Sequence, residues 1–404
     1  MNYQETVDYL FSQLPMFQRV GGAAYKADLS NTLAICELMG NPQNEFRSIH
    51  IAGTNGKGSV SSTLASVFAS CGYKTGLFTS PHLKDYRERI RINGAMIPEE
   101  FVIRFVEKYR SAAADLKPSF FELTCAMAFA YFAEEQVDIA ILEVGMGGRL
   151  DSTNVVTPDI SVITSIGLDH QQFLGETIEE IAAEKGGIIK PGVPVVVGEN
   201  PIQVQDVFSQ IAEKRNSPIY FSRSSSAGFV TDLQGSYQRE NMRTVARVID
   251  IARKLDYKLA PECVEKGALN VKQNTGLRGR WDIIGEKPRV IVDVGHNETG
   301  VKMVVDMLRK QSFVRLHIVW GMTSDKDAKN ILSLLPTSAT YYWCKADVPR
   351  GKDARELALE ASKYSLEGKE YPSVKAALAA AKQEALLNDL IFVGGSVFVV
   401  SEII

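Results

Sequence analysis

Seven consecutive residues, Gly53-Thr54-Asn55-Gly56-Lys57-Gly58-Ser59, have the composition of a phosphate cradle. Glycines let backbone N–H groups approach phosphate oxygens closely, Lys57 adds a mobile charge for the outer phosphates, and the Ser59 hydroxyl can face Mg²⁺. The run follows an apolar stretch at 47–52 and leads into small residues that read as a helix start, so a positive helix terminus falls at the same spot. The spacing departs from the usual G-x-x-x-x-G-K-[ST]: the first two glycines are too close, and Gly58 separates Lys57 from Ser59. The chemistry expected is triphosphate binding.

Other polar residues stand where neighbouring apolar runs end. Ser80 closes one run and is followed by Pro81, which forbids further ladder pairing. Glu143 ends an otherwise apolar run, and a carboxylate there is costly unless something positive meets it; a Mg²⁺ carried by ATP would do so. Asp169 and His170 lie just past the next run. Gly145, Gly147 and Gly148 invite comparison with a dinucleotide fingerprint, but Leu150 stands where the third glycine is needed, so NAD is disfavoured. No G-x-S-x-G elbow occurs, which leaves serine-hydrolase chemistry without support.

The elements that must hold these groups alternate in type. Apolar runs at 47–52, 74–79, 138–144, 160–165, 193–197, 289–294, 315–320, 340–344 and 389–393 read as strands. Amphipathic stretches at 59–71, 100–114, 120–134, 176–187, 237–255, 299–310 and 373–387 read as helices. This is the α/β pattern of a parallel sheet with crossover helices, in which ligands bind outside the carboxyl ends of the strands. At 404 residues, two domains are expected. The stretch 270–288, with three glycines and a proline, interrupts the rhythm, placing the boundary near 280 and the domains at 1–280 and 281–404. Residues 222–229 read as a flexible surface excursion.

Composition narrows the partners. Lys plus Arg total 45 against 48 for Asp plus Glu, so no basic field is available for nucleic acid or an anionic membrane. No apolar run suits a membrane span, and the N-terminus lacks a signal layout. Five scattered cysteines without a CxxC pair suit reduced, buried thiols in a cytoplasmic protein.

Taken in order, AGTNGKGS, TSPHL, FFELT, LEVGMGGRLDSTN, IGLDHQQFLGETIEEIAAEKGGIIKPG, GRW and DVGHN resemble the folylpolyglutamate synthase and dihydrofolate synthase family, a branch of the Mur ligases, from about residue 9 to the C-terminus. The resemblance implies a P-loop ATPase domain of Mur-ligase type followed by a smaller Rossmann-like domain. It also implies a Mg-ATP-dependent ligase that phosphorylates a carboxylate and lets the amine of L-glutamate attack the acyl phosphate. The chain departs from the family's D-V-A-H-N-P at Gly295 and Glu298, and has Arg278 where a proline commonly precedes Gly279.

Residue by residue, the resemblance implies phosphate contacts at Gly56, Lys57, Gly58 and Ser59, and further ATP contacts at Asn241, Arg280 and Asp293, with His296 nearby. Ser80 and Glu143 would hold one Mg²⁺ and His170 a second, joined there by a carbamylated Lys185. The helix pattern alone reads Lys185 as a solvated lysine. Phe121, Glu122, Leu150, Asp151 and Ser152 would meet the pterin of dihydropteroate or a reduced folate, although Phe120 and Phe121 also fit an ordinary helix core. A monomer working on small molecules is expected. Two rival readings are a Mur-type ligase for another carboxylate, such as a cell-wall precursor, and a non-enzymatic nucleotide switch, which would need neither Lys185 nor His170.

Overall fold

The computed structural model describes residues 1–16, 28–112, 114–224, 229–324 and 326–404. The chain forms two compact units. One comprises Met1–Asp232 with Gln238–Leu277, the other Leu233–Tyr237 with Arg278–Ile404. Residues 225–228, within the excursion expected at 222–229, lie outside the described residues.

The first unit is built on an eight-stranded sheet in the order β4-β3-β2-β5-β1-β6-β7-β8. Its strands are β1 (Arg47–Ala52), β2 (Thr75–Phe78), β3 (Ile90–Ile92), β4 (Ala95–Met96), β5 (Ile139–Glu143), β6 (Ile160–Ile163), β7 (Val195–Val197) and β8 (Ile219–Phe221). Pairing is parallel from β2 to β8, and at one edge β3 pairs antiparallel with both β2 and β4. A parallel sheet is covered on both faces, so its strands are mostly apolar, with a few buried polar residues such as Ser48 and His50 of β1. Ile49 and Ile51 of β1 pack with Val60, Leu64 and Phe68, while Phe78 and Leu142 join Phe129 and Phe132 in a separate cluster.

The helices that carry site residues are α1 (Lys57–Ser70), α2 (Phe120–Glu134), α3 (Ile178–Gly186), α4 (Gln238–Lys254) and α5 (Pro261–Leu269). Ser119 and Thr177 open α2 and α3 through capping boxes with Glu122 and Glu180. Gly267 of α5 lies against α1 so closely that an added Cβ would stand 2.5 Å from the Val67 Cα. That packing joins Cys71, just after α1, to Cys263 of α5 in a disulfide. The expectation of reduced thiols is corrected for these two cysteines; Cys36, Cys125 and Cys344 are buried and unpaired. The partners are 192 residues apart, so their pairing depends on helix packing that no local spacing announces.

The second unit holds a six-stranded sheet, order β13-β12-β11-β14-β10-β9. It contains β9 (Asp282–Glu286), β10 (Arg289–Val292), β11 (Leu316–Trp320), β12 (Thr340–Cys344), β13 (Gly368–Tyr371) and β14 (Leu390–Gly394). Only β9 is antiparallel. Helix α6 (Glu298–Leu308) buries Val301, Val304 and Leu308 against Ile291, Ile318 and Phe392. Among the described residues, no helix is long and apolar enough to cross a membrane.

Candidate active site

Strand β1 delivers the chain into the loop at Gly53, whose φ of 145° and proximity to Thr164 exclude a side chain: an added Cβ would stand 1.9 Å from Thr164 Oγ1. Gly56, at φ 91°, would likewise place a Cβ 2.4 Å from Asn241 Oδ1. The loop is tied to the segment after β6. Thr54 N donates to Ser165 O at 2.7 Å, and Thr164 Oγ1 donates to Asn55 O at 2.7 Å. Helix α1 starts at Lys57 without a side-chain cap, leaving its N-terminal amides available to an anion. Lys57 folds back, its Nζ donating to Gly53 O at 2.9 Å and Thr54 O at 3.3 Å. From α4, Gln238 donates to Ser59 Oγ at 3.2 Å and is itself held by Asn241 Nδ2 at 2.9 Å. Asn241 therefore stands against the phosphate loop.

The order β2-β5-β1-β6 brings together the carboxyl ends of four neighbouring strands. Ser80 follows β2, Glu143 ends β5, the loop follows β1, and Asp169 and His170 follow β6. Ser80 N donates to Glu143 Oε2 at 3.3 Å, and Glu143 is buried. His170 takes a left-handed conformation (φ 52°) at the start of a short helix, its backbone N–H donating to Asp169 Oδ1 at 3.0 Å.

Lys185 does not face solvent. It is 5% exposed, and Gly148 packs on it so tightly that an added Cβ would stand 2.7 Å from Lys185 O. Burial, reinforced by the charge of Lys57, lowers its pKa to about 7 against opposing pulls from Asp169 and Asp151. The solvated-lysine reading is thereby corrected: the charged neighbours Glu179, Glu180 and Glu184 disguise the position in sequence, while the Gly147–Gly148 turn covers it.

The expected pterin-site residues separate into different tasks. Phe120 belongs to the core, stacked on Phe11 at 5.3 Å. Phe121 is half-buried and lies over the backbone just past Glu143, 2.4 Å from where a Gly145 Cβ would be. Glu122 is buried and accepts Ser119 N at 2.6 Å in the capping box. Asp151 is committed to its own turn, accepting Gly145 N, Met146 N and Thr153 N at 2.9–3.0 Å and Thr153 Oγ1 at 2.5 Å. Burial nevertheless raises its pKa. Leu150 is half-buried and Ser152 buried in the same turn.

In the second unit, Asp293 follows β10 and is buried. Its Oδ2 accepts Tyr237 Oη at 2.7 Å and Trp281 N at 2.9 Å, and its Oδ1 accepts Gly295 N at 2.8 Å. Burial raises its pKa against these donors. Arg280 is half-buried and donates to Gly279 O at 3.4 Å. His296 Nδ1 lies 3.0 Å from Val294 O, and since a carbonyl oxygen only accepts, that nitrogen carries a hydrogen. Of the three positions that depart from the family pattern, Arg278 pairs with Asp282 at 3.2 Å, Gly295 N donates to Asp293, and Glu298 supplies an acid to the first turn of α6. Sequence reasoning missed Tyr237, Gln238 and Thr164, which lie in no recognisable motif of their own.

Residues 51–260 match the Mur ligase middle domain, and 279–397 match the glutamate ligase domain of Mur ligases. The chain is 32% identical to the folylpolyglutamate synthase of Lacticaseibacillus casei, over 100% of this chain and 98% of that protein. It is similar to E. coli FolC in complex with DHPP and ADP, with a TM-score of 0.86 and 29% identity over 100% and 97% of the two chains. A bifunctional folylpolyglutamate synthase/dihydrofolate synthase of Yersinia pestis, complexed with AMPPNP and Mn ion, gives a TM-score of 0.85 at 26% identity over 100% and 97%. Fold and site thus define an ATP-dependent ligase of Mur type. More narrowly, the chain belongs to the folylpolyglutamate synthase and dihydrofolate synthase family. That membership sets aside the rival readings of a cell-wall ligase and a non-enzymatic switch.

Proposed function

We propose that this enzyme adds L-glutamate to the carboxylate of dihydropteroate, to that of reduced folates, or to both, through an acyl phosphate. The observation that carries the reading is the convergence of the 53–59 loop, Ser80, Glu143 and His170 at adjacent strand ends, with buried Lys185 packed beneath the Gly148 turn. ATP and a divalent cation fit these residues. Among the described residues no three His, Cys, Asp or Glu side chains cluster as a ready cage, which suits Mg²⁺, since it takes few protein ligands and keeps phosphate and water oxygens.

Ser80 and Glu143 would hold one cation, and His170 with carbamylated Lys185 the other. When bound, these cations offset the negative charge developing on the transferred phosphoryl group. The α1 N-terminus and Lys57 bind the outer phosphates. Arg280 would meet the γ-phosphate, Asp293 would receive the ribose hydroxyls, and Asn241 would face the nucleotide from α4. Phe121 offers an aromatic face to the pterin, with Leu150 beside it. Glu122, Asp151 and Ser152 shape that pocket by fixing its walls. The 1–280 domain carries most of the nucleotide and pterin sites, and 281–404 the glutamate and the rest of ATP.

A lysine with a pKa near 7 has a neutral amine able to take up CO₂, which a lysine near 10.4 has only in trace at neutral pH. We place the enzyme in the cytoplasm as a monomer acting on small molecules; the near-balance of its charges supports the last point, since it leaves no basic field for nucleic acid or an anionic membrane. The experiment is ADP release with dihydropteroate and with tetrahydrofolate as acceptors. Release that needs both an acceptor and glutamate supports the reading; release independent of either contradicts it.

A further inference from the structure

Arg89 lies just before β3 on the segment that follows Ser80, and its backbone C=O accepts Thr79 N at 3.0 Å. It is only 2% exposed, yet no carboxylate among the described residues lies within ion-pair distance of it. Its Nε donates to His82 Nδ1 at 2.7 Å, and its guanidinium carbon sits 5.1 Å from the centre of the Phe120 ring. Nη1 and Nη2 have no hydrogen-bond partner among the described residues. Glu88, one residue away, turns its carboxylate to the backbone N–H groups of Leu83, Lys84 and Asp85. Glu143 influences Arg89 only through space.

Burying a cation without a counter-charge is costly, and burial lowers the Arg89 pKa to about 10. A guanidinium in that condition, with its planar fork unspent, matches a carboxylate geometrically. Its surroundings indicate which one: Arg89 lies over Phe120, the neighbour of half-buried Phe121, and it feels the charge of Glu143, which accepts from Ser80 at the proposed phosphate-transfer end.

We propose that Arg89 binds the acceptor's own carboxylate, the group to be phosphorylated, and that His82 holds the fork in place by accepting from Nε. This rests on the glutamate-ligase reading above. Arg89 takes no part in bond making: a carboxylate oxygen attacks the γ-phosphorus and ADP leaves, then the glutamate amine displaces phosphate from the acyl carbon and loses its proton. The fork fixes the carboxylate so that one oxygen faces the phosphoryl group.

The test compares wild type with Arg89→Lys and Arg89→Gln. Loss of a bidentate charged contact lowers kcat/KM for the acceptor by roughly 10- to 100-fold, while KM for ATP and for glutamate stays close to wild type. Added guanidinium ion restores part of the activity of Arg89→Ala, which a purely structural role would not allow. An unchanged acceptor kcat/KM in Arg89→Lys, or a change confined to ATP or glutamate, overturns the proposal. Should the variants not fold, the wild type decides: the acceptor's methyl ester competes roughly 10-fold or more weakly than the carboxylate, and equal competition overturns the assignment. Failure of the underlying reading shows separately, as a wild type without glutamate-dependent turnover.

Discussion

The hydroxyl of Tyr237 donates to Oδ2 of Asp293 at 2.7 Å, fastening a buried carboxylate that also accepts two backbone N–H groups. The next residue, Gln238, donates to Ser59 of the phosphate loop. Two consecutive residues thus each serve a proposed nucleotide contact, one in each unit. Tyr237→Phe keeps the ring and removes the donor. We expect stability to fall by roughly 1–2 kcal/mol and ADP to bind several-fold more weakly, read by thermal unfolding and titration calorimetry. Unchanged ADP affinity would show that Asp293 needs no such fastening.

Lys185→Ala should abolish measurable turnover while leaving ADP binding largely intact, and a small added carboxylate should restore part of the rate. The modification follows pH in a defined direction. With a pKa lowered to about 7, the amine is protonated and inert below that pH and neutral above it. Reactivation of CO₂-depleted enzyme by bicarbonate should therefore quicken as pH rises through 7. A flat profile, or an active enzyme whose intact mass shows unmodified Lys185, contradicts the assignment.

His50 gives a stability prediction of the opposite range. It is buried on β1, shares a 2.7 Å hydrogen bond with Thr153 Oγ1, and burial together with the charge of Lys190 lowers its pKa from 6.5 to about 3. The folded state keeps it neutral while the unfolded state protonates it below 6.5, so its contribution is complete above that pH and is lost as pH falls towards 3. Between about pH 7 and pH 5 the wild type should lose roughly 2 kcal/mol through this group. His50→Gln should flatten that part of the urea-unfolding profile, and an unaltered slope would assign the loss elsewhere.

The Cys71–Cys263 bond is tested by alkylation under denaturing conditions. Unreduced protein should take up three alkyl groups, on Cys36, Cys125 and Cys344, whereas reduced protein takes up five. Disulfides are rare in the cytoplasm, so the measurement belongs on protein freshly isolated under thiol-blocking conditions; five groups without reductant would refute the bond.

The parts legible in sequence were those fixed by local rules. Glycine spacing after an apolar run located the 53–59 loop, and polar residues ending such runs located Ser80, Glu143 and His170, because a parallel sheet gathers its carboxyl ends along one edge. Short or edge strands were missed: β13 reads GKEY and is largely exposed, and β9 lies in the charged stretch taken as a break. Long-range packing was equally hidden. The burial of Lys185 depends on a glycine turn over thirty positions away in sequence, and the capture of Asp151 by its own turn leaves the residue type unchanged. Tyr237 and Arg89 sit among polar neighbours and acquire meaning only from what the fold sets against them.

Glutamate ligation is tested by ADP release with the acceptor and L-glutamate supplied singly and together. Sustained release is expected only with both, accompanied by one glutamate added per ADP formed, as mass spectrometry of the product would show. Sustained ATP hydrolysis without glutamate, or none with both substrates and folded protein, would contradict it.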